Sequence, residues 1–139
     1  MKRALSALLA APLLLAACYS EPEARSYSDV NEMLASVDKQ DSAVQCQKVE
    51  QRDRPLITQA THQGNCVDQN GADANLLIFD TQADIDSRVG EAMQRDIWAS
   101  GEWVILRGPN WTVDCKSLGQ CENWQDALGG EILGMNVDK

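Results

Sequence analysis

The sequence predicts an α+β domain with a mainly antiparallel sheet, helices packed on one face of that sheet, and two disulfides. Three observations lead to this prediction. Segments with strand periodicity occur in two groups, and segments with helical periodicity flank them, in the order α-β-β-β-α-β-β-α. Short turn sequences join the strands within each group, which favours antiparallel pairing. Of the five cysteines, an even number, four, remains when Cys18 at the end of an N-terminal export segment is set aside.

The first predicted element is a helix over 29–38. Ser28 is suited to cap it, because a serine hydroxyl can accept a hydrogen bond from a free N–H of the first turn. The helix has four apolar residues at the spacing of one helical face: Val30, Met33, Leu34 and Val37. We expect this apolar face to pack on the sheet.

Three strands are predicted next. Residues 43–49 alternate in polarity, and 56–67 is rich in residues that favour strands, although a glycine interrupts it. The dipeptide Asn70-Gly71 is typical of a two-residue hairpin turn, because both residue types tolerate a positive φ. Residues 74–79 form the most hydrophobic run of the exported part of the chain, and we expect a central strand there.

The second helix is predicted over 82–96. Thr81 is a suitable N-cap, and Asp84 follows three residues later, as in a capping box. Apolar residues at helical spacing give this helix a face to bury. Gly90 within it weakens its helical preference.

The last predicted elements are two strands and a helix. The strands are 102–107 and 111–115, joined by a Gly-Pro-Asn turn at 108–110. A short helix over 121–128 follows, and two glycines at 129–130 end it.

The N-terminus has the features of an export signal. Lys2 and Arg3 precede an apolar run, 4–17, that is shorter than the about 20 residues needed to span a bilayer. A positive start, a short apolar core and small residues at its end are typical of a secretory signal. We therefore predict a signal peptide over 1–17.

The end of this segment resembles the lipobox of bacterial lipoproteins. Residues 15–18 have the sequence Leu-Ala-Ala-Cys. The resemblance implies lipid attachment to the Cys18 thiol, cleavage before it, and an extracytoplasmic protein anchored to the membrane; an ordinary signal peptide with a chance cysteine is the alternative. The polar stretch 18–27 is predicted to be a tether, and 28–139 a single α+β domain.

The chain is strongly acidic. Its 139 residues include 12 basic and 21 acidic ones, which gives a net charge of −9. Loss of the signal peptide would remove two of the basic residues and bring the net charge near −11. Nucleic acids and anionic headgroups attract basic surfaces, so we predict no nucleic-acid partner.

The four remaining cysteines are predicted to form two disulfides, Cys46–Cys66 and Cys115–Cys121, because each pair is close in sequence. Three connectivities exist for four cysteines. A metal site is the alternative, but the sequence contains no Cys-x-x-Cys and its single histidine is His62. We predict no metal and no cofactor.

One segment has a superficial likeness to a calcium loop. It contains Asp68, Asn70, Gly71 and Asp73 but lacks the closing glutamate of such loops. We interpret it as a hairpin turn with polar flanks.

Paired carboxylates raise the hypothesis of an envelope hydrolase, with Asp84, Asp86 and Glu131 as candidate acids and Asp96 nearby. The residue spacing around His62 does not point to a nucleophile that this histidine could activate. We therefore interpret His62 as a surface residue of a strand. The prediction is therefore that the protein is not an enzyme.

Four tryptophans accompany a single phenylalanine. We expect Trp111 and Trp124 to fill the core beside the second disulfide. Trp98 and Trp103 are the candidate binding surface, because tryptophan is enriched in binding hot spots.

The second half of the chain resembles small lipoproteins of actinobacteria and of the phages that infect them. The matching residues are 104–113, with the sequence VILRGPNWTV, then Cys115, Cys121 and 127–130. The resemblance implies a disulfide-bonded extracytoplasmic module. Some phage-encoded lipoproteins of this kind block further infection, which gives superinfection exclusion as an alternative function. The leading prediction is a membrane-anchored binding or interaction module of unknown ligand, with an unknown protein or an envelope component as its partner.

Overall fold

One antiparallel sheet organises the computed structural model, which describes residues 22–40, 42–94 and 104–134. Within these ranges the sheet has six strands in the order β1-β2-β3-β5-β4-β6. The strands are β1 Cys46–Arg52, β2 His62–Asp68, β3 Asp73–Ile78, β4 Val104–Arg107, β5 Trp111–Cys115 and β6 Glu131–Leu133. The helices are α1 Val30–Asp38, α2 Gln82–Met93 and α3 Leu118–Leu128. The α+β class and the predicted element order are confirmed, with β6 as an additional strand.

The helices lie on both faces of the sheet, which corrects the prediction that they share one face. Met33 of α1 and Trp124 of α3 belong to one apolar cluster with Leu76 of β3. Ile85 of α2 packs in a second cluster with Leu77, the next residue of the same strand. Because successive strand residues point to opposite faces, α2 lies on the side opposite α1 and α3.

The topology explains this arrangement. Since β3 and β4 both pair antiparallel with β5, they run parallel to each other, and α2 connects them. In the same way α3 connects the parallel strands β5 and β6. The two crossovers move in the same direction along the sheet but start from strands of opposite direction. Right-handed crossovers must then place their helices on opposite faces.

Both predicted disulfides are present. The first joins Cys46 of β1 to Cys66 of β2, with 5.3 Å between the Cα atoms. The second joins Cys115, the last residue of β5, to Cys121 in the first turns of α3, with 5.5 Å between the Cα atoms. The first link therefore ties the edge strand β1 to the rest of the sheet, and the second ties α3 to its centre.

The helix caps follow the predicted chemistry with two shifts of position. Thr81 caps α2 and accepts a hydrogen bond from the Asp84 N–H, as predicted. Asp29 rather than Ser28 caps α1, because its side chain accepts from the Glu32 N–H. The cap of α3 is Ser117, so this helix begins three residues before the predicted position.

The first two strands begin later than predicted. β1 extends to Arg52, and residues 56–60 form turns rather than the start of β2. The loop is held in place by the Gln63 side chain, whose Oε1 accepts a 2.7 Å hydrogen bond from the Leu56 N–H. The predicted hairpin turn between β2 and β3 is confirmed, with Gly71 at φ 77°.

The segment predicted to be a tether is docked on the domain from residue 22 to residue 27. The Asn110 side chain binds the Tyr27 backbone twice: its Oδ1 accepts from the Tyr27 N–H at 2.9 Å, and its Nδ2 donates to the Tyr27 carbonyl at 2.6 Å. Trp111 Nε1 donates to the Arg25 carbonyl at 2.7 Å. The Tyr27 side chain is buried in the core. The domain therefore begins before residue 28, and 18–21 lies outside the described residues.

Two glycines permit this docking. A Cβ atom at Gly129 would lie 2.0 Å from the carbonyl oxygen of Pro22, so only glycine allows the segment to approach α3 this closely. A Cβ atom at Gly108 would lie 2.0 Å from the Trp111 indole, which folds back over the turn. The Gly-Pro-Asn-Trp turn at 108–111 is thus built to hold the N-terminal segment.

Candidate binding groove

A polar groove lies on the sheet face that α2 covers only in part. It has a volume of about 510 Å³ and lies where β1 and β2 extend beyond the helix. Six residues line it: Glu50, Gln51, Arg52, Gln63, Asn65 and Asn75. Three of them, Gln63, Asn65 and Asn75, present amide side chains on this face. The Gln51 side chain instead donates a hydrogen bond to Asn31 of α1, on the opposite face. Its volume falls in the range of about 300–1,000 Å³ that is usual for small-molecule sites.

The strand register brings these residues together. Glu50 of β1 lies opposite Asn65 of β2, and Asn65 lies opposite Asn75 of β3. Adjacent strands are about 4.8 Å apart, so this row of polar side chains spans about 10 Å. Arg52 and Gln63 form a second opposed pair, two residues along β1. The result is a small grid of polar groups on this face of the sheet.

A chain of hydrogen bonds fixes two of the amides. Gln63 Nε2 donates to Asn75 Oδ1 at 3.1 Å, and Asn75 Nδ2 donates to Asp114 Oδ2 at 3.3 Å. Gln63 Oε1 is held in turn by the Leu56 N–H. Each amide therefore has a defined orientation before any ligand arrives.

A buried ion pair between α2 and β5 lies at the end of this series of hydrogen bonds. Arg88 Nη2 donates to Asp114 Oδ2 at 2.8 Å, and the two side chains are 9% and 5% exposed. Isolated buried charges are costly, and a pair with further hydrogen bonds offsets that cost. The ion pair fixes α2 to β5 and, through Asn75, supports the floor of the groove.

Two groove residues have unused hydrogen-bonding groups. The half-buried Asn65 amide makes no side-chain hydrogen bond with any described residue, and the Arg52 guanidinium makes no ion pair with one. The asparagine amide offers two donors and an acceptor, and the guanidinium offers five donors. These groups are available to a ligand.

Charged side chains of both signs lie at the groove. Glu50 and Arg52 line it. Lys48 Nζ lies 2.6 Å from the Glu50 carboxylate. This hydrogen bond and the lysine charge lower the pKa of Glu50, and the Arg52 charge lowers it further. Glu50 therefore remains ionised at neutral pH.

The predicted binding residues Trp98 and Trp103 lie outside the described residues, as do Asp96 and the predicted lipidation site Cys18. The two tryptophans predicted for the core are there: Trp111 is 0% exposed and Trp124 is 2% exposed, in the cluster that contains the Cys115–Cys121 disulfide.

The three candidate hydrolase acids lie at two places: Asp84 at the cap of α2, and Asp86 and Glu131 beside Arg107. Asp84 belongs to the cap of α2 and accepts a 2.7 Å hydrogen bond from Thr81 Oγ1. Asp86 forms an ion pair with Arg107 of β4. Glu131 is exposed on β6, opposite Arg107 in the sheet. Two of the three acids thus have clear structural contacts.

In the predicted turn at the end of β2, the Asp68 carboxylate accepts hydrogen bonds from backbone N–H groups. Asp68 Oδ1 accepts hydrogen bonds from the N–H groups of Asn70 at 2.8 Å and Ala72 at 3.0 Å. His62 is an exposed residue of β2, as interpreted.

Across the described ranges, no three potential metal ligands come together. No helix in these ranges is long and apolar enough to cross a bilayer.

Sequence analysis missed the groove, although signals for it exist. Glu50 and Arg52 alternate along β1, and Gln63 and Asn65 alternate along β2, so each pair lies on one sheet face. Asn75 is a polar residue inside the most hydrophobic strand. Only the register shows that these residues are neighbours.

No family model, no curated protein and no solved structure matches the chain. The functional assignment therefore rests on the chemistry of the residues themselves.

Proposed function

We propose that this chain is an extracytoplasmic lipoprotein, anchored through Cys18, whose domain binds a ligand of the cell envelope in the polar groove. The observation that carries the proposal is that the side chains of Asn65 and Arg52 make no side-chain hydrogen bond or ion pair with any described residue, beside two amides that are already fixed in orientation. Groups held in position before binding lose little conformational freedom when a ligand arrives.

Two features support an extracytoplasmic location for the domain. The sequence Leu-Ala-Ala-Cys at 15–18 follows a short apolar core, as in exported lipoproteins. Both disulfides, Cys46–Cys66 and Cys115–Cys121, suit an oxidising compartment. Anchoring by acyl chains is stable when more than one chain is attached.

The groove chemistry supports binding rather than catalysis. Its side chains are mostly amides, which donate and accept hydrogen bonds without exchanging protons at neutral pH. Its carboxylate, Glu50, is held ionised by Lys48, so it is poorly placed to act as an acid. Fixed donors and acceptors of this kind recognise a ligand.

If Cys18 carries the lipid anchor, its substitution should change the location of the protein in the cell. The Cys18→Ser variant of the full chain should move from the membrane fraction to the soluble extracytoplasmic fraction, because the serine hydroxyl does not accept the lipid. Fractionation and immunoblotting measure this change. Retention of Cys18→Ser in washed membranes would contradict the anchor.

The released protein also tests the groove. Purified Cys18→Ser should rebind washed envelopes of cells that lack the protein, and adding Asn65→Ala should weaken that rebinding about tenfold through the lost hydrogen bonds. Asn123 is an exposed asparagine on α3, away from the groove, so Asn123→Ala is the matched control. Equal rebinding of the two variants in a sedimentation assay would contradict the proposed site.

A further inference from the structure

We propose that the ligand is an extended segment of an envelope protein, which adds to the sheet as a further strand beside β1 and places an acidic side chain on Arg52. The proposal rests on the proposed function and names its ligand class. Three observations carry it: the unpaired edge of β1, the positive charge of Arg52 and the exposed side chain of Val49.

β1 is an edge strand of the sheet. Within the described ranges it pairs only with β2, so the backbone groups on its other side have no partner in the sheet. An extended peptide that adds to a sheet binds such groups. From Lys48 to Arg52 the pairing with β2 is regular and every residue is exposed, which gives an open edge of about 13 Å. The Cys46–Cys66 disulfide holds this edge in place before the segment arrives.

The groove side of this edge has one positive charge in excess. The Glu50 carboxylate is paired with Lys48 Nζ at 2.6 Å, and the nearby Asp73 carboxylate is paired with Lys116 Nζ at 3.2 Å. Arg52 makes no ion pair with a described residue, and a guanidinium binds a carboxylate through two parallel hydrogen bonds. The whole chain has a net charge of −9 and repels polyanions at longer range, so a single acidic side chain fits this site better than a polyanion.

Asn65 extends the acidic site into the groove. It lies on β2 diagonally across from Arg52, which is directly opposite Gln63. Side chains at diagonal positions of neighbouring strands are within reach of long residues such as arginine. A carboxylate bound by the guanidinium can therefore accept a second hydrogen bond from the Asn65 amide, which makes no side-chain hydrogen bond with a described residue. Glutamate suits this position better than aspartate, because its longer side chain reaches further over β1.

The other face of the edge favours an apolar residue. Val49 is 40% exposed, and it points to the face opposite Arg52 because the two residues are three positions apart on one strand. An apolar side chain opposite Val49 on the added strand would cover it. All pairings in the described sheet are antiparallel, and antiparallel addition places the acidic residue three positions before the apolar one in the ligand.

The test is a selection of linear nine-residue peptides from a random display library on the purified Cys18→Ser protein. The selected peptides should be enriched in an acidic residue followed three positions later by an apolar one. Addition of Arg52→Glu should replace the acidic residue by lysine or arginine and should weaken binding of a selected acidic peptide at least about tenfold. Lys39→Glu is the matched control, because it makes the same change of charge at an exposed residue after α1, on the other face of the sheet. It should keep the acidic preference.

Strand addition has a second signature, in the backbone of the selected peptide. Only alternate N–H groups of an added strand point toward β1. N-methylation at these positions should abolish binding, and N-methylation at the positions between them should have much less effect. Fluorescence anisotropy with labelled peptides measures both series.

Three results would overturn the strand addition: no peptide selected above background, the same selected sequences with Arg52→Glu as without it, or a loss on N-methylation that does not alternate. The rebinding assay separates the two levels of the proposal. Pretreatment of the washed envelopes with proteinase K should remove rebinding of Cys18→Ser. Undiminished rebinding that still depends on Asn65 would reject the protein ligand and keep the binding function. Rebinding that does not depend on Asn65, together with failure of the peptide selection, would reject the binding site as well.

Discussion

Asp114→Ala should reduce the free energy of unfolding by about 3–5 kcal/mol, because it leaves the Arg88 guanidinium buried without its carboxylate. The same change removes the acceptor that holds the Asn75 amide at the floor of the groove. Urea denaturation of the purified chain with its disulfides intact measures the loss. The groove should lose affinity for its ligand even under conditions where the variant remains folded.

A double variant separates the free-energy cost of an unpaired Arg88 charge from the net contribution of the Arg88–Asp114 ion pair to stability. Arg88→Met with Asp114→Leu replaces both charges by apolar groups of similar size, which is often close to neutral in other buried pairs. We expect it to recover most of the stability lost in Asp114→Ala. A double variant that is less stable than Asp114→Ala would contradict this account of the ion pair.

Trp111→Ala should also cost about 3–5 kcal/mol, because it removes a fully buried indole from the main core. Trp111→Phe keeps an aromatic ring but loses the hydrogen bond from Nε1 to the Arg25 carbonyl. We expect Trp111→Phe to release the segment that contains Arg25 while the rest of the domain stays folded. Limited trypsin digestion should then cut after Arg25 several-fold faster than in the parent chain.

Trp124→Phe is the matched control for this prediction. Trp124 is buried on α3 and no described hydrogen bond links it to the N-terminal segment. Its substitution should lower stability without preferential cutting after Arg25. Equal rates of cutting after Arg25 in Trp111→Phe and in the parent chain would contradict the role assigned to the Trp111 hydrogen bond.

Local signals in the sequence were sufficient for much of the fold. The apolar faces predicted α1 and α2, the Thr81 cap predicted the start of α2, and Asn70-Gly71 predicted the hairpin between β2 and β3. Cysteines close in sequence predicted both disulfides correctly, because each pair lies on elements that are neighbours in space. These features depend on residues that are close in sequence, at most 20 positions apart in the case of Cys46 and Cys66, so a single sequence is enough to predict them.

The features that depend on topology were not predicted. The side on which α2 packs depends on the position of β5 between β3 and β4, which no local pattern specifies. β6 was missed because its three residues are too few to show a periodicity. Both features follow from long-range pairing.

Polar segments were the hardest to interpret. Residues 22–27 have the composition of a tether, and their docking depends on the distant side chains of Asn110 and Trp111. The groove was missed for the same reason, since Asn65 and Asn75 become neighbours only in the register of β2 and β3. Sequence composition describes polarity, but it does not show which polar groups meet.

The most direct test of the binding groove is site-specific photocrosslinking in intact cells. The photoreactive residue p-benzoylphenylalanine is placed at Asn65 in one variant and at Asn123 in another, each in the full chain with Cys18 intact. The account predicts a covalent adduct with an envelope component after irradiation at position 65 and none at position 123. Absence of an adduct at position 65, or equal adducts at both positions, would contradict the assignment of the groove as the binding site.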